Sequence, residues 1–330
     1  MSKLSAPKGT VDILPQESWK WQAAERIARE TAAVYHFSEI RTPIFEHSDL
    51  FHRGVGETTD IVTKETYTFN DRATPPRSLT LRPEGTAGVV RAMIEGGALN
   101  NEGARAKVFY IGPNFRYENV QAGRLRQHHQ FGVEAFGIPD PKQDVECILL
   151  QLDFYRRCGL KEMQLRVNTL GDRESKQNYR NELVRLLGPL APNLSEDSQR
   201  RLNTNPLRIL DSKDPRDVEA LRAIPLPASF QMLSEKSWIH WTRFFDVLQD
   251  TVGSFGITPT SDGNLVRGFD YYTETLWEIT ASGLGAQNAI GGGGRYDNLV
   301  EQLGGRPTPG VGFGSGIERL LLALENQGVE

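Results

Sequence analysis

The chain has 330 residues, 38% of them apolar and 24% charged, with a formal net charge of −4. That length suits about two globular domains, and the charge excludes a polybasic protein that coats nucleic acid without specificity, although a local basic patch remains open. Its two cysteines, Cys147 and Cys158, are too few for a disulfide framework or a four-ligand zinc site, and they fit a cytoplasmic setting. MSKLSAPKGT has no apolar signal core, and no run reaches membrane-spanning length.

In chain order, helical spacing of Trp21, Ala24, Ile27, Ala28, Thr31 and Val34 predicts a long amphipathic helix over 18–34, capped by Ser18. SEIRTPIFEHSDLF reads as a strand interrupted by Pro43, which suits an edge or an interface. Strands are expected at 66–70, 78–82, 107–111 and 127–136, with one short helix at 86–95 between them. Strands so close together leave no room for repeated helical crossovers, so the sheet should be mainly antiparallel and the fold class α+β. DVECILLQLDFYRRCGL predicts a helix and EMQLRVNTLG a strand. From 172 to 254 the chain turns helical and charged, which predicts a helical insertion domain between two parts, 1–171 and 255–330, of the sheet domain. Strand character returns in NLVRGFDYYTETLWEIT and AQNAIGGGG, and a last helix is expected at 316–325 after PGVGFGSG.

Several common catalytic motifs are absent. GGGG at 291–294 has no Lys-Ser/Thr after it, PGVGFGSG lacks dinucleotide spacing, and neither G-x-S-x-G nor H-E-x-x-H occurs. His128 and His129 are neighbours on a strand and point to opposite faces, which disfavours a metal pair. What stands out is a set of arginines and carboxylates on or beside apolar strands: Arg82, Glu84, Arg116, Glu118, Arg124, Arg126, Glu134, Arg267 and Arg319. A solvated, salt-bridged face would explain any one of them. Several together call for an anionic partner, because a buried guanidinium needs one. A triphosphate supplies it: arginines from different strands can hold separate phosphates and neutralise charge in an in-line displacement.

LTLRPEGT, YIGPNFRYE, GRLRQHHQFGVEAFG, NLVRGFDYYTETLWEI, GGGGRYDNLVEQLGG and PGVGFGSGIERL, in that order, resemble the catalytic core of the histidyl-tRNA synthetases, class II aminoacyl-tRNA synthetases. RGFDYY and GGGRYD are characteristic of the histidine-specific branch. The resemblance implies an antiparallel sheet flanked by helices and a homodimer formed through the first long helix and the strand after it. It implies histidine, ATP with Mg2+ and the acceptor arm of a histidine tRNA as substrates and partners, with no membrane. FRYE with its loop and strand resembles the second class II motif, and GIERL the third. The chain stops at Glu330, just after that motif, so the resemblance implies a core without the C-terminal anticodon-binding domain. A synthetase-like regulatory subunit of short-form ATP phosphoribosyltransferase, which also lacks that domain, is the alternative.

By the same resemblance, Arg116 and Arg267 act on the α-phosphate, Arg267 also near the histidine carboxylate. Arg124 and Arg319 lie by the outer phosphates, Arg319 also over the adenine, and Glu118 orients the base. Glu84, Thr86 and Gln130 hold the α-amino group, with Tyr271 nearby, while Glu134 and Tyr272 read the two ring nitrogens. Packing of the two tyrosines on a strand, and a mere tight turn at 291–294, are the plainer alternatives. His128 stands where the family has Phe to stack on adenine, and it would bring pH dependence if it titrated near neutrality. Arg200, Arg201 and Arg208 in the insertion suit either the acceptor arm or a solvated helix face. The magnesium ligands stay unassigned.

Overall fold

A computed structural model describes residues 4–57, 59–285 and 288–329. Helix α1 (Pro15–Val34) begins before the expected cap. Pro15 takes the first turn, where its missing N–H costs nothing, and Ser18 Oγ donates to the Pro15 carbonyl instead of capping. Pro43 separates two short strands, β1 (Ser38–Glu39) and β2 (Phe45–His47). The expected strand then gives way to helix α2 (Ser48–Val55), because Leu50, Phe51 and Val55 fall on one helical face and pack with Ile61 and Ala87. Strands β3 (Tyr67–Asn70) and β4 (Ser78–Leu81) join β2 in a small antiparallel sheet of order β2-β4-β3.

Helix α3 (Thr86–Glu95) leads to β5 (Ala106–Phe115) and β6 (Gln127–Phe136), the central hairpin. β5 runs through Pro113 because β1 pairs with it only at Val108 and Phe109; farther along, Arg82 donates Nε to the Pro113 carbonyl and its own carbonyl accepts from the Phe115 N–H, so no ladder bond needs the missing Pro113 N–H. Helix α4 (Lys142–Arg157) and strand β7 (Met163–Thr169) follow. Four helices come next: α5 (Arg173–Leu187), α6 (Glu196–Thr204), α7 (Pro215–Arg222) and α8 (Glu235–Val252). Each starts at a side-chain cap, Asp172, Ser195, Asp214 and Ser234 respectively, worth about 1 kcal/mol apiece. The chain closes through β8 (Thr260–Ser261), β9 (Thr273–Ala281), β10 (Ala289–Arg295), the single-turn α9 (Leu299–Gln302), β11 (Gly310–Gly316) and α10 (Ile317–Asn326).

The main sheet has the order β1-β5-β6-β11-β10-β9-β7-β8, antiparallel except for the two outer pairs. Strand alternation divides its two faces. Phe109, Phe131, Val133, Val311, Phe313, Trp277 and Ile279 point to one face, where α1, α4, α8 and α10 cover them with residues such as Ala28, Ile148, Phe154, Phe244 and Leu320. Fully burying one such side chain is worth about 1.5–3 kcal/mol. Trp241, Phe244, Leu248 and Val252 of α8 belong to this sheet core, whereas Tyr179, Leu183, Leu187, Leu202 and Leu207 gather in a second cluster with Tyr271, Tyr272 and Tyr296. The other face of the strands carries Val108, Tyr110, Asn114, Gln130, Glu134 and a run of glycines.

Candidate active site

The glycines of β10 and β11 create the floor. Gly291–Gly294 lie within a central strand, not in a turn, paired with β9 on one side and β11 on the other. A Cβ at Gly292 would stand 3.0 Å from the Arg267 guanidinium, and one at Gly294 would stand 2.7 Å from the Tyr272 ring. At Gly312 it would strike the Glu134 carboxylate. Side chains from the loop before β9 and from β6 thus reach the sheet backbone only because this strip has none of its own.

Above the strip is a cavity of about 100 Å³ lined by Glu84, Thr86, Tyr110, Arg116, Gln130, Arg267, Phe269, Tyr271, Tyr272 and Tyr296 with Gly85, Gly292, Gly312, Phe313 and Gly314. Seven of the twelve residues that the resemblance gives a role with ATP or histidine meet here. Arg116 comes from the end of β5, with Nε donating to the Pro83 carbonyl at 2.7 Å and its guanidinium over the Phe269 ring. Arg267 comes from the opposite direction, in the loop before β9, and donates Nη1 to Glu278 at 3.0 Å. Glu84 is pinned by the start of α3: it accepts from the backbone N–H of Thr86 (2.6 Å) and of Ala87 (2.9 Å), donors that a helix start leaves unpaired. Burial raises its pKa, opposed by those two N–H groups. Gln130 accepts from Asn114 Nδ2 at 2.8 Å.

Glu134 lies behind the lining. It is 1% exposed and accepts from Thr86 Oγ1 at 2.7 Å, Tyr110 OH at 3.3 Å and Tyr296 OH. Burial pushes its pKa up to about 8 despite these donors. Room for the Tyr110 ring exists because Gly85 and Gly132 lie against it; a Cβ at either would approach to 2.3 Å.

The remaining sequence candidates form an outer group. Glu118 faces both Arg116 (3.7 Å) and Arg124 (3.3 Å), and Arg124 is 43% exposed. Arg319, at the start of α10, donates Nε to the Ala289 carbonyl and packs beside Gly123. His128 shares the site face of β6 with Gln130. Burial and the nearby Arg116 push its pKa down to about 3, so it is a neutral ring at neutrality and the condition for a pH dependence there is not met. His129 turns to the other face, where Nδ1 is 2.9 Å from Glu318. Among the described residues no cluster of three or more His, Cys, Asp or Glu could hold a metal ion.

This geometry accompanies a clear kinship: a profile described as Histidyl-tRNA synthetase matches residues 9–320. The chain belongs to the histidyl-tRNA synthetase family. It is 52% identical over 326 residues to a histidine–tRNA ligase of Moorella thermoacetica, an alignment covering 99% of this chain and 75% of that relative. It therefore spans about three quarters of the length of such relatives. The crystal structure of apo histidyl-tRNA synthetase from S. aureus superposes with a TM-score of 0.76 at 38% identity, over 99% of this chain and 75% of that one. A Bacillus halodurans structure titled ATP phosphoribosyltransferase regulatory subunit/histidyl-tRNA synthetase superposes with a TM-score of 0.68 at 22% identity, over 98% of this chain and 84% of that one, a likeness of fold alone.

One expectation needs correction within this family frame. Arg267, Tyr271 and Tyr272 are not on a strand: β9 starts at Thr273, and the preceding loop presents them. The glycine run lies in β10, as the strand character of AQNAIGGGG suggests, and the plainer alternative of a tight turn falls away. Four lining or supporting residues were not singled out from the sequence: Tyr110, Asn114, Phe269 and Tyr296. Phe269 and Tyr296 sit inside the quoted blocks VRGFDYY and GGGGRYD, where an aromatic beside an arginine was the available signal. Tyr110 and Asn114 needed knowledge of the β5–β6 pairing, which sets Tyr110 opposite Gly132.

Proposed function

We propose that this chain activates histidine with ATP, giving histidyl-adenylate and pyrophosphate, and transfers the histidyl group to the 3′ end of a histidine tRNA. The observation that carries this reading is a single cavity with Arg116 and Arg267 entering from opposite sides, beside the polar set Glu84, Thr86 and Gln130. A histidine carboxylate oxygen attacks the α-phosphorus, the bond to the bridging oxygen breaks, and pyrophosphate leaves with that electron pair. Arg116 and Arg267 stabilise the charge that develops on the α-phosphate, so positioning and electrostatics supply the rate without a covalent enzyme intermediate. Magnesium enters as part of the Mg–ATP substrate, held chiefly by phosphates and water. Arg124 and Arg319 serve the outer phosphates, Glu118 the base, and His128 stacks on adenine as a neutral ring.

Histidine is read by hydrogen bonds. Glu84, Thr86 and Gln130 take the α-amino group, with Tyr271 beside them. Glu134 accepts from one ring N–H and Tyr272 serves the other nitrogen. For direct contact, a phenol now on Glu134 gives way to the imidazole. A site that bonds its substrate in this way rejects analogues lacking the matching groups by about 10⁴-fold, since its own polar groups are left unpaired.

The helical stretch 172–254 is proposed as an insertion that meets the tRNA acceptor arm, with α8 anchoring it in the sheet core. Exposed Trp19, Val34, Ile44, Phe45 and Phe69 support a homodimer through α1 and the small sheet. A cytoplasmic site of action goes with this activity, and no helix among the described residues is long and apolar enough to cross a membrane. Histidine-dependent ATP–pyrophosphate exchange tests the reading. Exchange that requires histidine supports it. No exchange, with histidine-sensitive activation of a phosphoribosyltransferase partner instead, would replace it with the regulatory role.

A further inference from the structure

The loop that presents Arg267, Tyr271 and Tyr272 is gripped from the helical region. Lys176, on α5, sends Nζ to the Asp270 carbonyl oxygen at 2.6 Å and to the Tyr272 carbonyl oxygen at 3.2 Å. The Asp270 carbonyl belongs to the peptide before Tyr271 and the Tyr272 carbonyl to the peptide after Tyr272, so one ammonium ties the backbone at both ends of the Tyr271–Tyr272 pair. Asn205, just after α6, donates Nδ2 to Asp270 Oδ1 at 2.5 Å. From a third direction the Val55 carbonyl accepts from the Asp270 N–H at 3.2 Å. Gly56, at φ +106°, leaves the space that Asp270 fills; a Cβ there would lie 2.9 Å from Asp270 Oδ2. Lys176, Asn205, Asp270, Arg267 and Tyr272 enclose a recess of only about 10 Å³, room for at most a water, so the recess is a clamp and not a ligand site.

We propose that Lys176 and Asn205 are positioning residues for histidine recognition: from the helical region they hold the 267–272 loop so that Tyr271, Tyr272 and Arg267 stand in the cavity. The inference rests on the histidine-activation reading. An ammonium that donates to two carbonyls makes charge-assisted bonds, stronger than neutral ones, and a neutral side chain of similar length cannot replace them. Burial lowers the Lys176 pKa while Asp270 opposes the shift, so the charge depends on the loop it holds. A site that must be held within about 0.5 Å of its working geometry depends on such support. Lys176 and Asn205 bond the loop and not the ATP groups on β6 and α10; Arg116 meets the held loop through the Phe269 ring.

The test uses Lys176→Met, Lys176→Arg, Asn205→Ala and a control, Gln177→Ala, whose Nε2 bonds Asn181 on the exposed side of α5. Pyrophosphate exchange gives KM for histidine and for ATP, and amide hydrogen exchange reports on 267–272 directly. In Lys176→Met the histidine KM should rise about tenfold, the equivalent of one lost charge-assisted bond, and the ATP KM should rise clearly less, because only Arg267 and the Arg116–Phe269 contact tie the loop to ATP. Loop amides should exchange faster, Lys176→Arg should recover part of both effects, Asn205→Ala should show a smaller version, and Gln177→Ala neither. Unchanged loop exchange, an unchanged histidine KM, or an equal rise in both KM values overturns the proposal. If the parental chain gives no histidine-dependent exchange, the activation reading fails by itself; amide exchange in Lys176→Met then still decides the clamp.

Discussion

Strand β10 separates two arginines that a sequence cannot rank. On one face, Arg295 and Asp144 are both 0% exposed. All five Arg295 N–H groups end on protein acceptors: Asp144 takes Nε and Nη2, Asp297 and the Ile138 carbonyl take Nη1, and the Asp140 carbonyl takes Nη2. His240 approaches the same Asp144 at 3.2 Å. On the other face, Arg267 donates Nη1 to Glu278, and its guanidinium lines an open cavity with Arg116. The difference is one of closure. A guanidinium whose donors are all answered inside the chain holds the fold together; one that faces a cavity beside a second arginine is set up for an anion from outside.

The strongest way to break this comparison is at Arg295. Arg295→Ala should cost about 3–5 kcal/mol of unfolding free energy, because it strands a buried carboxylate. Urea unfolding at neutral pH measures it, and a loss below about 1 kcal/mol would mean that the cluster is not structural. Arg267→Ala should do the reverse. Histidine-dependent exchange should fall by about 10²-fold or more while the unfolding midpoint stays close to the parent, as for a donor used in the transition state. Parental exchange by Arg267→Ala would remove it from the chemistry.

Which of these arginines was legible in advance depends on the scale of the signal. Local patterns sufficed where one element settles its own fate: 127–136 alternates and becomes β6, and 86–95 has helical spacing and becomes α3. They failed where a tertiary partner decides. Helix α2 forms because Leu50, Phe51 and Val55 find Ile61 and Ala87, which strand-like Phe45–His47 just before it does not foretell. The residues 264–272 look like strand because they are aromatic and branched, yet their aromatics stack in a loop, Phe269 on Tyr271 with ring planes 6° apart. Asp172, Ser195, Asp214 and Ser234 mark helix starts, but nothing in 235–252 says that α8 would pack on the sheet. In the site, charged residues on apolar strands were visible one by one. Tyr110, which bonds Glu134 from the neighbouring strand, depends on the β5–β6 pairing and was not.

Glu134 sharpens the comparison between the faces, because it is buried like Asp144 but, among the described residues, bonds hydroxyls and not a cation. Its partners are hydroxyls, and its pKa stands near 8 where Asp144, beside Arg295, is held below its ordinary value. In the unfolded chain the Glu134 carboxyl loses its proton near the ordinary 4.5, while in the folded chain it keeps it to about 8. Its contribution to stability is therefore full below the lower value and is lost as pH rises through the upper one, with a slope of about 1.4 kcal/mol per pH unit between them. Glu134→Gln should flatten that slope in urea midpoints taken across the window. The same variant should weaken histidine by about tenfold or more and leave ATP near parental, since an amide NH2 takes the place of one side-chain oxygen that serves the imidazole. Equal weakening of both ligands in a titration would point to general damage behind the cavity.

The smallest effect belongs to His128, at the margin between the two kinds of setting. It lies on the site face of β6, yet burial and Arg116 hold it neutral, with a pKa near 3. A depressed histidine contributes no charge change across the neutral range, so any pH dependence of ATP binding there must come from other groups. What the imidazole lacks relative to a benzene ring is apolar area for stacking. His128→Phe should therefore tighten ATP by about 1 kcal/mol or less, under tenfold, the scale of an aromatic contact. The affinity for ATP measured from acid to alkaline pH should keep the same profile in both proteins, displaced by a constant factor. A parental profile with a step near neutrality that vanishes in His128→Phe would show that the ring does titrate, and would return His128 to the class of groups that answer to an external anion.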